Sequence, residues 1–382
     1  MKKRMKGRIV LLLVLILCGV GRWSAVAADT GLLIPEGFFE AADGLNSEDG
    51  VELPEGLGGQ DPEEVEKAVM ELTDPSYLLR TVLGAFQSKA GSALRLLATL
   101  CGLLLLSAVF GAVRSSLGSD GTATVFRFCG TSAILAAILS VQIEHLGEVS
   151  RFFERLTGLM EAMIPVLGSL WAMGGNVTTA AAGTGTLYVF LTVTERICAV
   201  SVIPVCIFCS SLALCGALSP EVGVRGLSGA VKKIYTFSLG LVMTLLLFSL
   251  SSQTTLSAAA DSVTARAART VSSSVIPIVG GAVGETLRVL ASSVQYIKSV
   301  VGFGGVIFVL LLLLPCLVSL LLSRLALLLA TGVAELLGCD HEGRLLGDLG
   351  GIYGLLVAVV SMCSVMFMLA LTLFVRTAVA VG

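Results

Sequence analysis

The chain has 382 residues, of which 55% are apolar and only 14% charged, with a mean hydropathy of +0.94 and a net charge of −2. A soluble domain of this size needs more polar surface than these residues supply, so a water-soluble globular protein is excluded. Basic patches interleaved with exposed aromatics are absent, which excludes nucleic acid and leaves membrane lipid as the surroundings.

Residues 1–28 read as a secretory signal peptide. "MKKRMKGR" is a basic n-region, "IVLLLVLILCGV" an apolar h-region, and "SAVAA" supplies small residues for cleavage near Ala27 or Ala28. Cleavage would leave the new N-terminus outside the cytoplasm. An acidic extracytoplasmic segment follows, 29–90, with 14 acids against Lys67, Arg80 and Lys89. Gly, Pro and acid-rich sequence over 29–60 predicts loose structure. Asp61-Pro62-Glu63-Glu64 then opens an amphipathic helix, with Asp61 as N-cap and Pro62 at the first helical position. Asp74-Pro75 ends it, and a second amphipathic piece, 76–90, leads into the membrane.

Eight apolar segments come next: 94–113, 123–143, 156–174, 186–217, 234–252, 271–291, 299–338 and 351–375. About 20 helical residues cross the ~30 Å hydrocarbon layer. The expected fold is therefore all-α, a polytopic integral membrane protein with six to eight transmembrane helices. Segments 186–217, with Pro204, and 299–338, with Pro315, are too long for one crossing. Each predicts a long kinked helix or a tight helical hairpin. Segments 156–174 and 271–291, broken by Pro165 and by Pro277 with Gly280-Gly281, suggest re-entrant or interfacial pieces. "GGNVTTAAAGTGT" (174–186) reads as a polar cavity wall or a loop between helices.

Three matches suggest an internal repeat. "MIPVLGS" (163–169) matches "VIPIVGG" (275–281), "VIPVC" (202–206) matches "LLPCL" (313–317), and "VRGLSGAVKKIY" (224–235) resembles "GRLLGDLGGIY" (343–353). The implied organisation is a first helix pair over 91–150, repeat 1 over 151–260 and repeat 2 over 261–382. Loop 221–233 is basic and its counterpart 339–350 acidic, which predicts opposite sides of the membrane and an inverted repeat.

Catalytic groups are sparse. His145 and His341 are the only two histidines, and no zinc-protease, nucleophile-elbow or phosphate-loop motif exists. "CDHEGR" (339–344) fits no metal spacing and reads as a solvated loop. Cys206-x-x-Cys209 lacks a second pair, so the cysteines read as small hydrophobes. No enzyme activity, cofactor or metal is expected. Charges in apolar sequence carry more weight, since each costs about 2.5–3.5 kcal/mol at mid-membrane by insertion scales. Glu195, Arg196, Glu285, Arg288 and Arg324 are such candidates, and Glu285 and Arg288 are spaced to pair on one helix face. They would line an aqueous path or pair structurally. Gly280-x-x-x-Gly284, Gly347-x-x-x-Gly351 and Gly350-x-x-x-Gly354 suit close helix contacts.

Residues 249–281, "SLSSQTTLSAAADSVTARAARTVSSSVIPIVGG", carry a polar run after an apolar helix, then Asp261, Thr264, Arg266 and the break at Pro277, Gly280 and Gly281. The charged part reads as a surface or interfacial helix at the junction of the two repeats. This stretch, with "LLLLLPCLVSLLL" (310–322) and "LLGDLG" (345–350), resembles the stage III sporulation protein AE family. The resemblance implies a membrane subunit of the channel between mother cell and forespore. It further implies partners: other stage III sporulation proteins, including a secretion-type ATPase, and a ring of stage II protein Q from the forespore. It identifies no catalytic or ligand-binding residue.

Overall fold

A computed structural model of the protein describes residues 71–72, 74–117, 120–218, 224–275 and 280–376. The signal peptide, nearly all of the acidic segment before Asp74, and Pro277 lie outside these residues. Six long helices account for almost everything described: α1 (Pro75–Leu117), α2 (Asp120–Met173), α3 (Val177–Leu218), α4 (Val224–Val275), α5 (Gly280–Leu336) and α6 (Asp340–Arg376). Each contains a stretch long and apolar enough to cross a membrane.

Local sequence sets the helix ends. Asp74 caps α1, its carboxylate accepting from the Ser76 amide at 3.0 Å and the Ser76 hydroxyl at 2.8 Å, with Pro75 at the first helical position. Those bonds hold the Asp74 carboxyl below the ordinary aspartate range. Gly175 (φ 76°) and Gly338 (φ 71°) end α2 and α5 in the left-handed conformation that glycine adopts without strain. At both, the next residue's amide reaches back to a helical carbonyl: Asn176 to Trp171 and Cys339 to Ala334, each at 2.9 Å. Two reversals of three residues result, one joining α2 to α3 and one joining α5 to α6.

The α5–α6 hairpin forms the centre. Glycines let the two helices meet closely, with Gly350 on the Leu327 side chain and Gly302 on Val375 and Phe374. The α1–α2 pair packs on α5, and α3 and α4 pack beside α6. Trp171 of α2 meets Phe374 of α6 edge-on at 5.2 Å, and Phe190 of α3 meets Phe367 at 5.6 Å. Throughout 301–320 no residue is exposed.

Several expectations change. Segments 186–217 and 299–338 each lie in one helix, α3 and α5, with Pro204 and Pro315 inside it. Packed neighbours tolerate the hydrogen bond that a proline removes. Segment 156–174 is not a separate re-entrant piece: apart from Gly174 in the turn, it is the second half of α2, continuous with 123–143 through the charged residues 144–155. The 174–186 stretch is the turn plus the first turns of α3. "CDHEGR" is not a solvated loop but the start of α6, where the Ser107 hydroxyl donates to buried Glu342 at 2.8 Å. Positions 150 and 260 lie inside α2 and α4.

The inverted arrangement is also overturned. Lys232 of α4 donates to the Asp348 carbonyl of α6 at 3.3 Å, and Gly240 lies beside Met362. Helices α4 and α6 therefore run parallel, so the basic first turns of α4 and the acidic first turns of α6 share one end of the bundle. Loop charge misled because Lys and Arg govern orientation, whereas the acids of 339–350 carry little topological signal.

Candidate functional site: a polar cleft between three helices

The charged centre of α2 is where buried polarity gathers. His145 and Glu148, one turn apart, share a helix face turned toward α5 and α1. Glu148 is surrounded by donors: Lys89 Nζ of α1 at 2.8 Å on one oxygen, Ser319 Oγ of α5 at 2.7 Å and His145 Nδ1 at 3.0 Å on the other. The Ser323 hydroxyl lies 2.8 Å from His145 Nε2. A carboxylate only accepts, so Nδ1 carries the proton and Nε2 accepts from Ser323 in the neutral ring. Tyr353 of α6 closes the back of the ring edge-on at 5.5 Å.

This cluster forms one wall of a cleft of about 500 Å³. Ser88, Ser92, Arg95 and Thr99 of α1 face Ser140 and Glu144 of α2 across it, with Ser319 and Ser323 at its base. Along α1 the lining spans Ser88 to Thr99, and along α2 Glu148 to Ala137. At 1.5 Å per residue each wall is about 16 Å long. Hydroxyls, a carboxylate pair and two cations suit water and small polar solutes. Ser323, His145 and Glu148 stand in the hydroxyl–imidazole–carboxylate order of a nucleophile–base–orienter set, with Ser323 only 3% exposed. Among the described residues, no group of three or more His, Cys, Asp or Glu could hold a metal ion.

Sequence-predicted residues fall elsewhere. Asp261 sits 5% exposed against the start of α3, accepting from the Thr178 amide at 3.0 Å, the Thr179 amide at 2.8 Å and the Thr179 hydroxyl at 2.7 Å. The expected surface helix is thus the end of α4, with its aspartate buried as a cap on another helix. Arg266 is exposed on α4, and Thr264 lies on the same helix. Gly280, Gly281, Glu285 and Arg288 lie on the first turns of α5, while Pro277 is outside the described residues. Glu195 and Arg196 are adjacent on α3, with Arg196 exposed. Arg324 of α5 lays its guanidinium over Gly354, and its Nε is buried without a partner. Asp261, Arg266, Arg196 and Arg324, whose side chains are described, do not line the cleft. Sequence reading missed Lys89, His145, Glu148, Ser319 and Ser323. The available signal was the polar run 144–155 between two apolar segments, which reads as a connector until both halves prove to be one helix.

Cysteines pack mostly as hydrophobes: Cys206, Cys209, Cys316, Cys339 and Cys363 are buried, while Cys129 and Cys215 are exposed.

A bundle of six membrane-length helices, long at both ends and holding a polar cleft, is compatible with many membrane proteins. The family comparison decides among them: the chain matches the model of stage III sporulation protein AE over residues 64–378. The chain belongs to the stage III sporulation protein AE family. The match takes in α1 to α6 and every residue of the cleft. No curated protein and no solved structure matches the chain. Membership makes this a sporulation-related, multi-pass membrane protein and associates it with other stage III sporulation proteins.

Proposed function

We propose that this protein is a non-enzymatic membrane subunit of a specialised secretion channel between mother cell and forespore, required for endospore development. The observation that carries the reading is the polar cleft among α1, α2 and α5, a hydrated route into an otherwise apolar bundle in a sporulation family. No phosphate-loop motif is present in the sequence, so energy would come from a partner ATPase of secretion type. The forespore ring of stage II protein Q is the opposite partner. The protein resides in the mother-cell membrane around the forespore, with its N-terminus extracytoplasmic after signal cleavage. The basic stretch Arg225, Lys232 and Lys233 then lies on the cytoplasmic side, in line with the positive-inside bias.

Affinity purification from sporulating cells tests this. Stage III partners, the ATPase among them, are expected to come down with the protein, and deletion of the gene should block spore formation. Normal spores from the deletion strain would overturn the assignment. The His145–Glu148–Lys89 cluster, with His145 buried and the other two partly so, also suits a stand-alone secondary carrier. Purified protein in vesicles separates the two: solute uptake without partners favours the carrier. If changes in the cluster leave function intact while purification still recovers the complex, the protein is a non-conducting scaffold.

A further inference from the structure

A second, smaller space continues the cleft. It holds about 30 Å³, room for about two waters. Lys89 of α1, Glu148, Arg151 and Arg155 of α2, and Pro315 and Cys316 of α5 are among its walls. On α2 the cleft runs from Ala137 to Glu148 and the small cavity from Glu148 to Arg155. On α5 the cleft takes Ser323 and Ser319, and the cavity takes Cys316 and Leu312. Recurrence at three and four residues keeps these positions on one face of each helix. The two spaces therefore lie end to end, and Lys89 and Glu148 belong to both. Together they extend about 27 Å along α2, close to the ~30 Å thickness of the hydrocarbon layer. Their lining residues on all three helices fall inside stretches long and apolar enough to cross a membrane.

The Lys89–Glu148 ion pair, at 2.8 Å, stands at the junction. Glu148 is also tied down by Ser319 at 2.7 Å and His145 at 3.0 Å. Among the described residues, the Lys89 ammonium holds no other side chain. The bond at the junction can therefore break by the swing of one flexible lysine, while Glu148 stays in place. Charge around the two spaces is unequal. Lys89, Arg95, Arg151 and Arg155 stand against Glu144 and Glu148, with His145 neutral in its hydrogen-bond pattern. Arg95, Glu144 and Arg151 are exposed on the open side. Charged side chains within membrane-crossing stretches face water or one another. An excess of cations along a hydrated cleft concentrates anions in it.

We propose that the cleft and the small cavity are one water-filled path for small anions, closed at its junction by the Lys89–Glu148 ion pair. Release of the Lys89 ammonium joins the two spaces. An anion in the cleft competes with the Glu148 carboxylate for that ammonium, so the solute itself weakens the closure. The path rests on the hydrated-cleft reading made under Proposed function, to which it adds a solute class and a gate.

Thiol labelling of the full-length protein in lipid nanodiscs tests the proposal, with both faces open to reagent. Two charged methanethiosulfonates are compared, the anionic sulfonatoethyl and the cationic trimethylammonioethyl compounds. Sites are assigned by peptide mass spectrometry without reductant. Ser140→Cys reports on the cleft, and native Cys316, buried beyond the ion pair, reports on the junction. Ser140→Cys should react with both reagents, the anionic one about tenfold faster after normalisation to free cysteine. Cys316 should stay unreacted in the unaltered chain and react in Lys89→Ala and in Glu148→Gln. These two variants break the same pair but shift the charge in opposite directions. The anionic preference at Cys316 should therefore rise in Glu148→Gln and fall in Lys89→Ala. Unchanged size-exclusion elution identifies the folded variants, and Lys89→Ala alone decides the gate if Glu148→Gln does not fold. An unreactive Ser140→Cys would overturn the path, and equal rates there would overturn the anion preference. A Cys316 that reacts in the unaltered chain, or stays unreactive in folded Lys89→Ala, would overturn the gate. Normal spores from the deletion strain would remove the sporulation role and leave these results standing, whereas failed labelling would leave that role in place.

Discussion

Asp261 closes the N-terminus of α3 from 83 residues away in sequence. Its carboxylate takes two of the amides that a helix start leaves unpaired, and it opposes the positive end of the helix dipole. Asp261→Ala removes a buried acceptor and strands the Thr178 and Thr179 donors. The expected loss is about 1–2 kcal/mol, read as a lowered melting temperature of the purified protein, with Asp261→Asn losing less. Glu148 is a second single point of failure, since it accepts from three side chains at once. Truncating one partner of a fully buried pair costs about 3–5 kcal/mol, but Lys89 and Glu148 retain 28% and 15% side-chain exposure. A discounted loss of about 1–2 kcal/mol is expected for Glu148→Ala. Glu148→Gln should lose less stability, because it still accepts from Ser319. A sporulation defect in Glu148→Gln with full complex recovery would place the charge, and not the packing, at the centre of function.

The hairpins are held by close approach at small residues. A Cβ on Gly183 would come within 2.6 Å of the Trp171 ring, and one on Gly168 within 2.7 Å of the Thr184 methyl. Gly183→Leu should therefore overpack the α2–α3 hairpin and cost about 1–3 kcal/mol, measurable by thermal unfolding in detergent. Gly84→Leu, where a Cβ meets nothing within 4 Å, serves as the control and should leave stability nearly unchanged. Helices α3 and α5 run in one direction, as do α4 and α6. The matched pairs Pro204 with Pro315 and Tyr235 with Tyr353 thus fall on helices of equal orientation. A repeat built on them would be parallel, two copies of a helical hairpin, and would not invert across the membrane.

At the scale of the molecule, α1 begins and α6 ends at the same end of the bundle, since six helices make an even number of passes. A periplasm-dependent reporter fused after Arg376 should be active, and a cytoplasm-dependent reporter inserted at 219–223 should be active too. The opposite pattern at both sites would reverse the orientation. Composition and hydropathy were enough to establish a polytopic helical membrane protein, because lipid forces every backbone group to be satisfied within a helix. The residues around Asp261 were also enough to point to the family. Local signals placed Asp74-Pro75 correctly as an element boundary. What sequence could not resolve was which apolar residues face lipid and which face protein, since both surroundings select the same side chains. Residues 301–320 are as hydrophobic as any lipid-facing stretch, yet none is exposed. Only tertiary contacts assign them to a core, join 123–143 to 156–174 in one helix, and bring Lys89, His145, Glu148, Ser319 and Ser323 from three helices into one cleft. Those residues lie up to 234 positions apart, and no local periodicity carries information over that range.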